Sequence, residues 1–430
     1  MVHAPDSRQL ESVILNNNAV VSIILLLFIT HVFTGSSTAQ TGRSWEPSHE
    51  TVERVSNKNP TANFYEDKVL DFTLPDPLAL DGNPIKSVST WERVNRPEIL
   101  ELFIQYVYGR VPDTPYEMSF DLVYEDREAM DGKATLKQVD IQIAAEGQAL
   151  VIHLNFFIPN HTTHPAPLFL LINNRGVENT DVTRAVKSEF WPAEEAIARG
   201  YGIAAFKNAD VDPDNRDFNN GVHGMLDGGG RDGESWGTLA AWAWGASRCM
   251  DYFESDSDID PKKIAVVGHS RGGKAALWAG ATDPRFAMVV SNESGAGGAK
   301  LARRNYGETV EALNRAVPYW FCANYKQFSN NEAALPVDQH MLIGLIAPRA
   351  VYIAAADEDL WADPKGMYLA LYHALPVYRL YFPDTFLSEG VPALDSPVIS
   401  GKVGYHIRRG DHNMLLKDWN WFMDFADRVY

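Results

Sequence analysis

From about residue 165 to residue 356 the chain repeats one pattern. A short unbroken apolar run is followed by a longer stretch whose apolar residues fall on one helical face. The runs are 167–172 (PLFLLI), 201–206 (YGIAAF), 264–267 (IAVV), 286–290 (FAMVV) and 350–355 (AVYIAA). Runs of this kind suit strands covered on both faces, as in a parallel sheet. Helical stretches at 193–199, 237–253 and 274–281 lie between them. Strands alternating with helices predict an α/β fold with a mostly parallel central sheet, helices on both faces and right-handed crossovers.

The flanks read differently. Residues 137–157 alternate polar and apolar positions (KQVDIQI, LVIHLNFFI), which predicts antiparallel strands at one edge of the sheet. In 89–108, Leu100, Phe103, Ile104 and Val107 keep helical spacing, and Gly109 stands at the C′ position. A terminal helix is expected over 416–429. Residues 40–65 are polar with little periodicity and read as a flexible N-terminal extension. No internal repeat or later linker interrupts 66–430, so one catalytic domain is the simplest count. Residues 19–33 (AVVSIILLLFITHVF) have the length of a signal-peptide core and are short for a membrane span. Ser37-Thr38-Ala39 supplies a small-x-small site before Gln40, although Asp6 and Glu11 precede the run where a basic excess is usual. Residues 1–39 are therefore expected to be a signal for export to the periplasm or exterior, with a retained anchor as the alternative.

Composition narrows the function classes. With 430 residues, 45% hydrophobic and 11% aromatic, the chain can bury a sizeable core, which excludes disorder as its dominant state. The net charge of −18 argues against nucleic acid and anionic membrane as partners, since both call for a basic surface. No stable protein partner is implied, and a monomer is expected. Two cysteines exclude a disulfide-dense scaffold and leave open whether Cys249 and Cys322 pair. The acidic run from Asp210 to Asp217 lacks the glycine and glutamate of a calcium loop, so it reads as a polar loop. Neither a metal nor a cofactor is expected.

The sharpest chemical signal is Gly268-His269-Ser270-Arg271-Gly272. A buried strand precedes it and a helix follows, the setting in which a serine stands on a tight turn with its hydroxyl exposed. The helix N-terminus offers backbone N–H groups where an oxyanion develops. Such a serine needs a base, and in an α/β-hydrolase the order along the chain is Ser, acid, His. His412 lies in the polar loop Gly410-Asp411-His412-Asn413 before the terminal helix, where that base belongs. The downstream histidines His340, His373 and His406 read as structural. For the acid, Glu293 ends the strand after the elbow, and Asp357 and Asp359 follow the next strand; either location can orient an imidazole.

These segments resemble a known family. Gly-His-Ser-Arg-Gly-Gly-Lys (268–274), Ser-Asn-Glu-Ser-Gly-Ala-Gly-Gly-Ala (291–299), Arg303-Arg304, Gly307-Glu308 and Asp-Glu-Asp-Leu-Trp-Ala-Asp-Pro (357–364) look like bacterial glucuronoyl esterases, carbohydrate esterase family fifteen. The likeness runs from about residue 65 to the end. It implies an α/β-hydrolase three-layer sandwich that cleaves esters between (4-O-methyl)glucuronic acid on xylan and lignin alcohols. By the resemblance, Ser270 is the nucleophile, His412 the base and Glu293 the acid. Asp359 matches an alternative acid of bacterial members, Arg271 an oxyanion donor, and Lys274, Glu308 and Trp361 the residues that hold the uronate. Fungal members carry Cys where this chain has His269, so the bacterial branch fits better. The alternatives are an acetyl or feruloyl xylan esterase of the same fold and a non-catalytic carbohydrate-binding relative.

Overall fold

A computed structural model describes residues 44–80 and 83–430. Ten strands form one sheet: β1 (Glu117–Glu128), β2 (Ala134–Ala145), β3 (Gln148–Pro159), β4 (Ala166–Asn173), β5 (Gly202–Lys207), β6 (Ile259–His269), β7 (Met288–Asn292), β8 (Ala350–Ala356), β9 (Val398–Ser400) and β10 (Val403–Arg408). Their order across the sheet is β9-β10-β8-β7-β6-β4-β5-β3-β2-β1. The strands from β5 through β4, β6, β7 and β8 to β10 are parallel; the β1–β2–β3 meander and β9 add antiparallel edges.

The unbroken apolar runs have the predicted cause. Leu168, Leu170 and Ile172 of β4 pack into one core, while Phe169 and Leu171 pack into the other. In β6, Ile264 and Val266 point one way and Ala265 and Val267 the other. The first core is covered by helices Thr238–Phe253, Arg271–Thr282 and Pro364–Tyr381; the second by Ala193–Ala198 and Leu416–Val429. Period-two side-chain alternation with an apolar residue at every step thus yields three layers. The predicted helix at 89–108 forms as one helical run from Val88 to Tyr108, partly π, and ends at Gly109 with φ 88°.

Two expectations are corrected. The segment read as a flexible extension contains a helix, His49–Lys58, capped by Ser48, whose Oγ accepts the Thr51 N–H at 3.1 Å. Val52 and Val55 are its two buried residues, too few to show a period in a polar stretch. Trp45 and Phe64 are buried on either side of it. The sheet also has one more edge strand, β1, which the alternation did not reveal because most of its positions are exposed. Cys249 and Cys322 are both buried free thiols. Among the described residues no helix is long and apolar enough to cross a membrane. The apolar run at 19–33 and the cleavage site at Ala39 lie outside the described residues.

Candidate active site

The elbow forms where β6 meets helix Arg271–Thr282. Ser270 has φ 56° and ψ −127°, a conformation costly for a residue with a Cβ, and its N–H is held by Asn292 O at 2.8 Å. The flanking glycines are required by contact: a Cβ on Gly268 would lie 2.0 Å from Gly272 O. The first intrahelical bonds are those of Gly273 and Lys274 to Ser270 O, at 2.9 and 3.2 Å. The N–H groups of Arg271 and Gly272 therefore precede the helical ladder and are available to an anion beside Ser270.

His412 comes from the loop after β10. Its ring centroid lies 4.4 Å from that of His269, the residue before the serine. Both candidate acids reach the same ring nitrogen. Asp359 Oδ2 is 2.7 Å from His412 Nδ1, and Glu293 Oε2 is 3.1 Å from it. Among the described residues Nε2 has no protein partner, so it is the nitrogen left to take a hydroxyl proton. The two carboxylates are held differently. Glu293 is buried; its Oε1 accepts from Arg408 Nη2 at 2.6 Å and its Oε2 from the Asn413 N–H at 2.9 Å. Asp359 caps the short turn Leu360–Ala362 and, among the described residues, pairs with no Lys or Arg. Burial opposes a charged imidazole, but the bonds and charges of Asp359 and Glu293 outweigh it and raise the His412 pKa. Burial, with the Asp359 charge beside it, raises that of Glu293 against the pull of His412 and Arg408.

Arg271 sits at the helix start with Nη2 donating to Asn174 O at 3.1 Å and Nε 2.8 Å from Asp214 Oδ2. Lys274, one turn on, is buried, and its ammonium donates to Ser294 O (2.6 Å), Ala296 O (2.6 Å) and Glu308 Oε2 (2.9 Å). Those three acceptors use its three protons, so a sugar hydroxyl engages it only by replacing one of them. Glu308 Oε1 in turn accepts from Trp361 Nε1 at 3.2 Å. The three residues expected to hold a sugar are thus one connected chain, and six of the eight predicted site residues fall in two networks, His412 with Asp359 and Glu293, and Lys274 with Glu308 and Trp361. Arg271 is bound to Asn174 and Asp214 instead, and Ser270 shares only the elbow with them.

Other residues join them without a local signal. Arg408 lies between Glu293 and Asp418, 115 and 10 residues away in sequence. Asp214, from the run read as a polar loop, meets Arg271. The N-terminal segment packs behind Trp361. Phe64 packs 6.5 Å from Trp361 and edge-on to Tyr306 at 5.9 Å, and the Gly307 N–H donates to Asn63 O at 2.8 Å. Phe64→Ala is expected to cost about 3–5 kcal/mol of stability and to raise KM more than it lowers kcat, through Trp361. Thermal melts and steady-state kinetics check this; an unchanged KM would mean that Trp361 is fixed without Phe64.

A serine elbow at the C-terminal end of a parallel strand, with a carboxylate-bound histidine packed against the residue before the serine, is the site plan of an α/β-hydrolase. The comparisons agree. A family model described as "Glucuronyl esterase, fungi" matches residues 141–381. A carbohydrate esterase from an unknown prokaryotic organism is 40% identical, over 85% of this chain and 91% of its own length. A 4-O-methyl-glucuronoyl methylesterase of Schizophyllum commune is 29% identical, over 71% of this chain and 73% of its own. The solved glucuronoyl esterase from Solibacter usitatus has a TM-score of 0.80 at 36% identity, covering 85% of this chain and 100% of that one. The chain belongs to the glucuronoyl esterase family, carbohydrate esterase family 15, and is a carboxylic ester hydrolase.

Proposed function

We propose that the enzyme cleaves esters joining (4-O-methyl)glucuronic acid side chains of xylan to lignin alcohols. The observation that carries this reading is the Lys274–Glu308–Trp361 chain beside the elbow, a polar and aromatic wall suited to a uronate sugar. The curated relative named a 4-O-methyl-glucuronoyl methylesterase supports the same substrate class.

The reaction has two steps. His412 Nε2 takes the Ser270 proton as the oxygen attacks the uronate carbonyl, and Asp359 and Glu293 stabilise the imidazolium. The N–H groups at the helix start and the Arg271 guanidinium receive the oxyanion; one such donor is typically worth about 10²–10³ in kcat. The alcohol leaves with the proton held by His412, giving an acyl-enzyme. Water activated by the same histidine then releases the free acid. Trp361 offers a flat face to the sugar ring and Glu308 accepts from its hydroxyls, with Lys274 holding that carboxylate. The enzyme acts as an exported monomer, residues 1–39 serving as its signal.

Kinetics on benzyl glucuronate, benzyl galacturonate, an acetylated sugar and a feruloylated sugar test this. The expected result is the highest kcat/KM on the glucuronate ester. A preference for the acetyl or feruloyl substrate would overturn the assignment in favour of another xylan esterase.

A further inference from the structure

We propose that Asp214 is a positioning residue, which aims the Arg271 guanidinium and ties it to the sugar-side wall of the site. This rests on the reading of Arg271 as an oxyanion donor. Asp214 comes from the loop after the turn Asn208–Val211, a segment distant in sequence from the elbow. Its two carboxylate oxygens serve different parts of the site. Oδ2 lies 2.8 Å from Arg271 Nε, while Oδ1 accepts from Trp320 Nε1 at 2.8 Å and Tyr319 OH at 2.9 Å. The Trp320 ring centroid is 5.9 Å from the Lys274 ammonium. One carboxylate therefore joins the residue after the nucleophile to the aromatic residue beside Lys274.

The loop itself is anchored. Asp212 O accepts from the buried Trp242 Nε1 at 2.8 Å, and Arg216 Nη2 donates to Ala316 O at 3.2 Å. Nη2 donates to Asn174 O, and Nε lies 2.8 Å from Asp214 Oδ2 as an ion pair without a hydrogen bond, so the guanidinium is held at two points. Nη1 donates to no acceptor among the described residues and is free to donate to a substrate oxygen. Arginine has many rotamers, so fixing it in the folded state removes an ordering cost from the transition state.

The test is D214N, which keeps an oxygen for Trp320 and Tyr319 but removes the negative charge paired with the Arg271 guanidinium. Steady-state kinetics on benzyl glucuronate are measured for D214N, R271A and the double variant, with thermal melts alongside. We expect kcat to fall about 10- to 100-fold in D214N, KM to change less, and D214N to have no further effect once Arg271 is absent. If D214N does not fold, D214S gives the same comparison. A wild-type kcat in D214N with a reduced kcat in R271A would overturn the role of Asp214. An equal loss from D214N with and without Arg271 would also overturn it. A wild-type kcat in R271A would instead overturn the oxyanion reading beneath it.

Discussion

Ser270→Ala is expected to lower kcat on a glucuronoyl ester by roughly 10⁴–10⁶-fold, with binding of the uronate product little changed. The variant removes the only atom that forms the acyl bond and leaves the turn in place. The backbone bond from residue 270 to Asn292 O does not involve the side chain, and alanine carries the same Cβ that serine already places at φ 56°. The sugar-side chain of Lys274, Glu308 and Trp361 is also untouched. Activity should therefore vanish without loss of fold, read as kcat together with a thermal melt and product calorimetry. Intact-mass analysis after mixing with a slowly turned-over ester should show an acyl adduct on the parent enzyme only. Turnover of the best ester at the parent rate would remove Ser270 from the mechanism.

The paired carboxylates give the second large effect, and the two should fail differently. Asp359→Asn removes the charge from the shorter bond to His412 and is expected to reduce kcat by about 10²–10³-fold. The double variant with Glu293→Gln should approach the roughly 10⁴-fold loss seen when a triad acid is neutralised. Glu293→Gln alone should reduce kcat about tenfold, because Asp359 still holds the ring. Its larger cost is to stability, about 3–5 kcal/mol, since it breaks a buried ion pair. Arg408 keeps Asp418, 3.0 Å from its Nε, and the Asp411 and Asn413 carbonyls at its Nη2, but loses the carboxylate charge there. The sign of the pH effect follows from the raised His412 pKa. Catalysis needs the neutral ring, and removing either negative charge lowers the pKa toward its ordinary value. The acid limb of kcat/KM should therefore move to lower pH in both single variants. Parent-like kcat in Asp359→Asn with an inactive Glu293→Gln would assign the acid to Glu293.

Legibility in the sequence followed the range of the interactions. The buried strands were readable because burial on both faces demands an apolar residue at every position, as in PLFLLI and IAVV. The elbow was readable because its glycines, serine and helix start lie within a few residues. His412 was the expected base because of its loop before the terminal helix, and Arg271, Lys274, Glu308 and Trp361 were expected only through the family resemblance. The helix at His49–Lys58 escaped because only Val52 and Val55 face the core. The strand β1 escaped because an exposed edge needs little apolar patterning. Arg408 and Asp214 carry no local mark. One is an arginine at the end of a strand, the other an aspartate in a polar loop.

The choice between Glu293 and Asp359 shows where the boundary falls. Residue types and short spacings determine the layered α/β sheet, the strained turn at Ser270 and the polar loop that carries His412, because each depends on neighbours along the chain. That both carboxylates meet one imidazole nitrogen is set by β7 and β8 lying side by side in the sheet and by the loop after β10 folding over their ends. The same holds for the arginine buried against Glu293, the carboxylate beside Arg271 and the N-terminal segment behind Trp361. These contacts span tens to hundreds of residues, so their energies arise only when the chain is packed, and no local pattern encodes them.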